Sequence, residues 1–279
     1  MDLAMDVTER ERIEIDLLLE AMYRAYGYDF RSYARSSLER RIRGYLSSTR
    51  CASIAEMIEK VLYDREFFSG LARSFSVSVS EMFRDPFFYK ALRNTVVPVL
   101  RTWHHVKIWH AGCAAGEEAY SLAILLKEEG VYDRVTIYAT DFNDAVLEKA
   151  KAGIYSSEKI REATANYQKA GGKASFSDYY HSRYDAAILN ESLKERIVFA
   201  NHNLTADNAF GEMQLILCRN VLIYFNMELK NRALKLFTES LARGGFLCLG
   251  ARENLQFTGV SNLYDEVDRK ASIYKRRVM

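Results

Sequence analysis

The sequence predicts an α/β protein with two grammars: a helical N-terminal domain, then a mostly parallel sheet carrying a small inserted antiparallel β-subdomain. Two observations carry most of this. Before Val106 the apolar residues recur at three and four between recognisable helix caps. From Val106 onward short β-branched runs alternate with amphipathic stretches, the pattern of βαβ units. The expected boundaries are residues 1–85 for the helical domain, 86–105 for a linker helix and 106–279 for the sheet domain, with the subdomain at 176–200.

In chain order, Leu18, Ala21, Met22 and Ala25 form a first helical stripe that stops at Gly27. Ser53 and Glu56 have the spacing of a capping box ahead of Ile54, Met57, Ile58 and Val61. Asp85-Pro86 opens a further helix, with proline at the tolerated first position. Strands are expected at Val106–Ala111, Val135–Thr140, Ile197–Ala200, Gln214–Cys218, Phe246–Leu249 and Ser272–Lys275. Helices over Glu117–Glu129 and Met227–Arg243 should cover the sheet, each stopping at a glycine, Gly130 or Gly244. The polar stretch Ser156–Ser175 reads as a loop or weak helix, and Phe176–Phe199 as the inserted meander.

An apolar share of 49% is enough to fill a core at this length. Cys51, Cys113, Cys218 and Cys248 are scattered, with no CxxC pair, so neither a zinc site nor a disulfide framework is expected. With no signal-peptide pattern and no long apolar run, a cytoplasmic protein without membrane insertion is expected. The 39 Lys+Arg nearly balance 37 Asp+Glu, and the informative feature is a local run, Arg31, Arg35, Arg40, Arg41, Arg43 and Arg50, opposed within that stretch only by Glu39. A solvated helix face and a nucleic-acid surface are the ordinary readings of such a run. The five histidines show no metal-ligand spacing, and no metal is assigned.

Ligands of an open α/β sheet sit at the carboxyl ends of its strands. After the first strand comes HAGCAAGEEAYSLAILL, in which Gly112 and Gly116 allow a tight turn and Glu117-Glu118 open a helix. Acids at that helix start would repel a pyrophosphate, which disfavours a dinucleotide and favours a ligand with a cation near the loop. S-adenosylmethionine has such a group: Glu117 could hold its α-ammonium, and Asp141, at the end of the second strand, its ribose hydroxyls. A lone acid at either place is more often a helix cap; two in register with a glycine turn reverse that preference.

HAGCAAGEEAYSLAILL, ATDFNDAVLEKAKAGIY, CRNVLIYFN and GGFLCLGARENL, together with FSVSVSEMFRDPFFY ahead of them in the linker between the halves, closely resemble the CheR family of chemotaxis receptor methyltransferases over nearly the whole chain. The resemblance implies a Rossmann-like S-adenosylmethionine-dependent methyltransferase sheet, S-adenosylhomocysteine as product, and glutamate side chains of a methyl-accepting chemotaxis receptor as acceptors. It places Glu117 and Asp141 on the cofactor with Gly112 beneath it, Asn203, Leu204, Asn220 and Val221 along the adenine and methionyl regions, and Ser78, Ser80 and Arg84 closing the pocket. Arg84 and Tyr224 are the candidates for orienting the acceptor and walling the reacting methyl; by themselves they would read as an ion-pair arginine and a core aromatic. Arg40, Arg41 and Arg43 become candidates for docking the glutamate-rich cytoplasmic helices of the receptor, with no nucleic acid involved.

The departures are specific. Ser78-Val79-Ser80 stands where members commonly have Asn-Val-Thr/Ser, and Ala115 and Ala119 replace a frequent Thr and Pro. Tyr179–Phe199 lacks the glycine-containing insertion with which some members add a receptor tail peptide as a strand, so no such tether is expected. A catalytically weak cofactor-binding module, and an enzyme of this fold with another substrate, are the alternatives.

Overall fold

A computed structural model describes residues 6–75, 80–209 and 211–278. The chain forms two compact units, Met1–Val77 with Tyr224–Arg232, and Ser78–Ile223 with Ala233–Met279. No described helix is long and apolar enough to cross a membrane.

The first unit holds helices α1 (Val7–Tyr26), α2 (Arg35–Ser48), α3 (Ile54–Tyr63) and α4 (Arg65–Phe75). Gly27, at φ 76°, ends α1 in the left-handed conformation that only glycine adopts cheaply. Ser53 Oγ accepts the Glu56 amide at 3.3 Å, while Glu56 reaches back to the Ala52 amide at 2.7 Å, one residue beyond the usual capping box. Ile15, Leu18, Leu19, Met22, Leu38, Ile42, Met57, Val61 and Leu71 make the core. Tyr26 stacks on Phe68 at 3.7 Å and donates its hydroxyl to the Val61 carbonyl at 2.8 Å, so the α1 terminus is fixed by both packing and a satisfied polar tip.

The second unit begins with α5 (Pro86–Ala91), a π-helical turn at Leu92–Val96 and α6 (Val97–Leu100). Pro98 stands two residues beyond that turn; its missing N–H and bulky ring disturb the regular ladder, and the wider turn absorbs the mismatch. Then come β1 (Val106–Ala111), α7 (Glu117–Glu128), β2 (Val135–Asp141), α8 (Asp144–Ala152), β3 (Ile154–Ser156), α9 (Ser157–Lys169), β4 (Tyr180–Arg183), β5 (Ala186–Leu189), β6 (Ile197–Asn201), β7 (Met213–Cys218), α10 (Met227–Ser240), β8 (Leu241–Leu249), β9 (Tyr264–Asp268) and β10 (Ile273–Arg276). The seven-stranded sheet has the order β6-β2-β1-β7-β8-β10-β9, parallel from β6 to β8 and antiparallel at β10 and β9. The chain moves outward from β1 through β2 to β6 and then returns to the other side of β1 at β7, so the order reverses between β1 and β7. Strands β3, β5 and β4 form the small antiparallel sheet.

Three expectations change in detail. The stretch read as a loop or weak helix is the 13-residue α9, capped by Ser156 and burying Ile160, Ala163 and Tyr167. The helix expected to reach Arg243 ends at Ser240, because Leu241 pairs with Met213 and the ladder takes over; Gly244, at φ 76°, kinks the strand there instead of capping a helix. The meander borrows β3 from before α9, while Ile197–Asn201 belongs to the large sheet.

Candidate active site

Four neighbouring parallel strands, β6, β2, β1 and β7, deliver their carboxyl ends to one edge, around the place where the order reverses. The loop after β1 is fixed by backbone: the Gly112 and Cys113 amides both donate to the Thr140 carbonyl, at 2.8 and 2.9 Å. Gly112 stands at φ 75°, and a Cβ there would lie 2.5 Å from Val221 Cγ2. Glycine is therefore required twice over, by conformation and by the Val221 side chain that follows β7. Gly116, at φ 89°, lets the start of α7 close on α8, where an added Cβ would meet that of Ala150 at 2.9 Å.

Asp141 ends β2 with both carboxylate oxygens engaged, Oδ2 accepting the Ala114 amide at 3.0 Å and Oδ1 that of Asn143 at 3.0 Å. Burial raises its carboxyl above the ordinary value in spite of these bonds. A carboxylate has about four lone-pair directions. The Phe142 amide also bonds to this carboxylate, and the accepting capacity left over is held in a fixed orientation for ribose hydroxyls. Beside it the His202 amide donates to the Asp141 carbonyl at 3.2 Å, and Asn203 organises the next turn, its Oδ1 accepting the Thr205 amide at 3.0 Å while Leu204 is buried. After β7, Asn220 adopts φ 61° and its amide donates to Glu253 at 2.9 Å; Glu253 also takes the Gly250 and Ile223 amides, at 2.6 and 3.2 Å. Glu253 thus shapes the Asn220-Val221 turn from behind, and burial raises its carboxyl too.

Glu117 is the most telling residue. Its side chain is 1% exposed, with Oε1 accepting Lys159 Nζ at 2.6 Å. Oε2 is buried and has no hydrogen-bond partner among the described residues. An unpaired carboxylate oxygen in the interior is costly, and a cation arriving from the crevice removes the cost. Glu117 and Lys159 share a cavity of about 220 Å³ with Ser80, Met82, Tyr155 and Asn166. These groups fit S-adenosylmethionine: an acid for an ammonium, an acid for ribose hydroxyls, and a floor without side chains.

The Phe83-Arg84-Asp85 segment is held in an expensive conformation. Phe83 and Asp85 have φ of 54° and 56°, each costing on the order of 1–3 kcal/mol. Surroundings enforce it: the Phe83 ring is fully buried, its amide donates to Ser121 Oγ at 2.9 Å, and Asp85 pairs with Arg219 at 2.7 Å. Arg219, 1% exposed, also pairs with Glu118 at 2.9 Å, lies 4.0 Å over the Phe88 ring and points Nη1 at the Arg84 carbonyl, 3.5 Å away. Arg84 itself is half-buried between the two strained residues.

The sheet unit thus brings together Gly112, Glu117, Asp141, Asn203, Leu204, Asn220 and Val221 at its strand ends, with Ser80 on the Glu117 cavity. Ser78 lies outside the described residues. Tyr224 clusters with the helical unit, where its carbonyl accepts the Ala34 amide at 2.7 Å and the Arg41 guanidinium lies 5.2 Å over its ring. In the same unit the arginine run is far less positive than it reads. Acids of α1 oppose it: Arg31 pairs with Glu20, Arg35 with Asp16, and Arg43 with Glu11 at 2.6 Å. Arg41 turns inward to the Ser74 and Phe75 carbonyls, and burial lowers its pKa. Of Arg40, Arg41 and Arg43, only Arg40 is exposed and makes no ion pair among the described residues.

Sequence reasoning missed Lys159, Arg219 and Glu253, and read Glu118 only as an acid at the helix start, without its pairing to Arg219. Arg219, next to the quoted Asn220, and Glu118, next to Glu117, carried a signal as charged residues inside otherwise apolar strand-end segments. Lys159 and Glu253 carried none, since their partners lie far away in sequence.

Comparison with known proteins adds three findings. The all-alpha domain of CheR methyltransferases matches residues 13–76, and their SAM-binding domain residues 78–271. A Pseudomonas putida protein, "Putative methyltransferase Cher3", is 48% identical over 95% of this chain and 97% of its own length. Proteins named "Chemotaxis protein methyltransferase" from Listeria monocytogenes and Vibrio parahaemolyticus are 29% and 28% identical, over 83% and 95% of this chain and 86% and 95% of their own.

Proposed function

This chain belongs to the CheR methyltransferase family and is an S-adenosylmethionine-dependent methyltransferase, and we propose that its acceptors are glutamate carboxylates on the cytoplasmic helices of a chemotaxis receptor. The observation that carries the acceptor class is Arg84, a cation presented between two left-handed residues and tied through the Asp85–Arg219–Glu118 pairs to the start of α7. A site built to orient an anion suits a carboxylate.

When bound, S-adenosylmethionine supplies a methyl group activated by its sulfonium. Glu117 Oε2 takes the α-ammonium, Asp141 the ribose hydroxyls, and the Gly112–Val221 contact gives the cofactor a tight floor. Asn203-Leu204 and Asn220-Val221 flank it, and Ser78 and Ser80 contribute from the segment before Arg84. No base is needed, since a free glutamate with a pKa of about 4.3 is already ionised at neutral pH. Catalysis is then alignment and exclusion of water, with Arg84 orienting the carboxylate.

Receptor docking falls to the helical unit. With Arg43 neutralised and Arg41 turned inward, Arg40 is the cation of the three that remains for glutamate-rich helices. A tail-peptide tether is not part of the reading, because the β4–β5 hairpin turns at Tyr184 without glycine or extra length. The test is incubation with labelled S-adenosylmethionine and a receptor cytoplasmic fragment. Base-labile methyl esters mapped to glutamates are expected; label on another residue type, or none, would overturn the acceptor class.

A further inference from the structure

We propose that Lys159 is a specificity residue for the cofactor, binding the α-carboxylate of its methionyl head and so forming, with Glu117, a matched pair for an α-amino-acid zwitterion. The inference rests on Glu117 receiving the α-ammonium. Lys159 Nζ lies 2.6 Å from Glu117 Oε1, and the opposite oxygen of the same carboxylate is buried and unpartnered among the described residues. Both side chains line one cavity of about 220 Å³. The Glu117 carboxyl is 1% exposed, whereas the Lys159 side chain is 48% exposed, so the lysine stands toward the mouth and the acid at the base.

Two cations on one buried carboxylate would repel each other, and a ligand bringing only an ammonium would meet that repulsion. The methionyl head brings a carboxylate one carbon away from its ammonium. Its arrival completes an alternating set, Glu117, ammonium, carboxylate and Lys159, in which every charge neighbours its opposite. Glu81 and Glu162 also line the cavity, but both residues are exposed and keep their carboxylates in water. The Ser156 cap and the buried Ile160 fix α9 around Lys159, so the ammonium is brought to this place by the fold.

The experiment compares calorimetric affinities for S-adenosylmethionine, S-adenosylhomocysteine and decarboxylated S-adenosylmethionine, which keeps an ammonium and lacks the carboxylate. In Lys159→Ala the first two should weaken roughly tenfold, the scale of a charge-assisted contact at a half-exposed site. The decarboxylated analogue should bind the variant at least as well as it binds the wild type, and Lys159→Arg should recover most of the loss. Equal weakening of all three ligands would reduce Lys159 to a support for Glu117 and overturn the proposal, as would no change in any. Glu117→Gln separates the two levels: weakened binding there with an unaffected Lys159→Ala sinks only the lysine, whereas unchanged binding in Glu117→Gln removes the underlying placement of the ammonium as well.

Discussion

Arg219→Met removes the centre of the buried ionic cluster while keeping much of the side-chain volume. Glu118, 7% exposed, loses its partner at 2.9 Å; the nearest other cationic group, His110 Nε2, is 3.7 Å from its Oε1, and burial lowers the His110 pKa, so at neutral pH it offers no compensating charge. Breaking such a pair costs about 3–5 kcal/mol, chiefly for the charge left behind. The Phe88 ring contact adds up to about 1 kcal/mol, and the half-exposed Asp85 pair little. For a unit of this size each kcal/mol shifts the midpoint by about 2–4 °C, so a loss near 10 °C is expected. Both tryptophans, Trp103 and Trp109, lie in the sheet unit, so their fluorescence during urea unfolding reports the unit that carries the cluster. The cycle is completed by Glu118→Gln and the double variant. Since the neutral amide of Glu118→Gln leaves no charge to strand, the double variant should be more stable than Arg219→Met alone by about 1–3 kcal/mol. A single-variant cost under about 1 kcal/mol, or a double variant no better than the single, would refute the view that the stranded carboxylate sets the penalty.

Four further outcomes are expected. Glu117→Gln should weaken S-adenosylhomocysteine by about 1.5–3 kcal/mol in calorimetry, the value of a hydrogen bond to a charged group. Gly112→Ala should nearly abolish cofactor binding and cost about 1–2 kcal/mol of stability for the left-handed backbone, more if Val221 cannot move; unchanged affinity would mean the floor is looser than the 2.5 Å contact indicates. Because burial raises the Asp141 carboxyl, its ionisation opposes folding: that part of the stability is present at acidic pH and is lost as pH rises through the folded value. The Tm of cofactor-free Asp141→Asn should accordingly fall less than wild type between acidic and neutral pH, while its cofactor affinity drops; parallel Tm profiles would contradict the sign. Arg84→Ala should keep cofactor-free stability and lose most methyl transfer to a receptor fragment, and wild-type turnover would remove Arg84 from the acceptor site.

The large sheet was legible because its interior strands are buried almost throughout: β1 and β7 read as short, mostly apolar runs, broken by Lys107, His110 and Gln214, and matched the expected spans to within one residue. Strands β3 and β9 were not, since one is three residues long and the other, at the sheet edge, buries only Tyr264 fully, too little for either period to register. Helix α9 hid for a related reason, with three buried positions among polar neighbours. In the crevice, residues announced by glycine turns or strand-end acids could be found by reading along the chain. Lys159 meets Glu117 from 42 positions away and Glu253 meets Asn220 from 33, and no local pattern encodes such meetings. The arginine run misled in the same way, because its counter-charges sit on α1.

The contact between Gly112 and Val221 also bears on the order in which a ribosome delivers the molecule. Glu117 and Asp141, proposed above for the ammonium and the ribose, emerge early, at the start of α7 and the end of β2, but Val221 follows β7, after the whole inserted subdomain has been made. A growing chain that stops short of Val221 lacks the side chain that packs on Gly112. Once β7 docks beside β1, ligand binding adds RT ln(1 + [L]/Kd) to the folded state in a single step. Any stabilisation by the cofactor is therefore open only to chains long enough to have made β7.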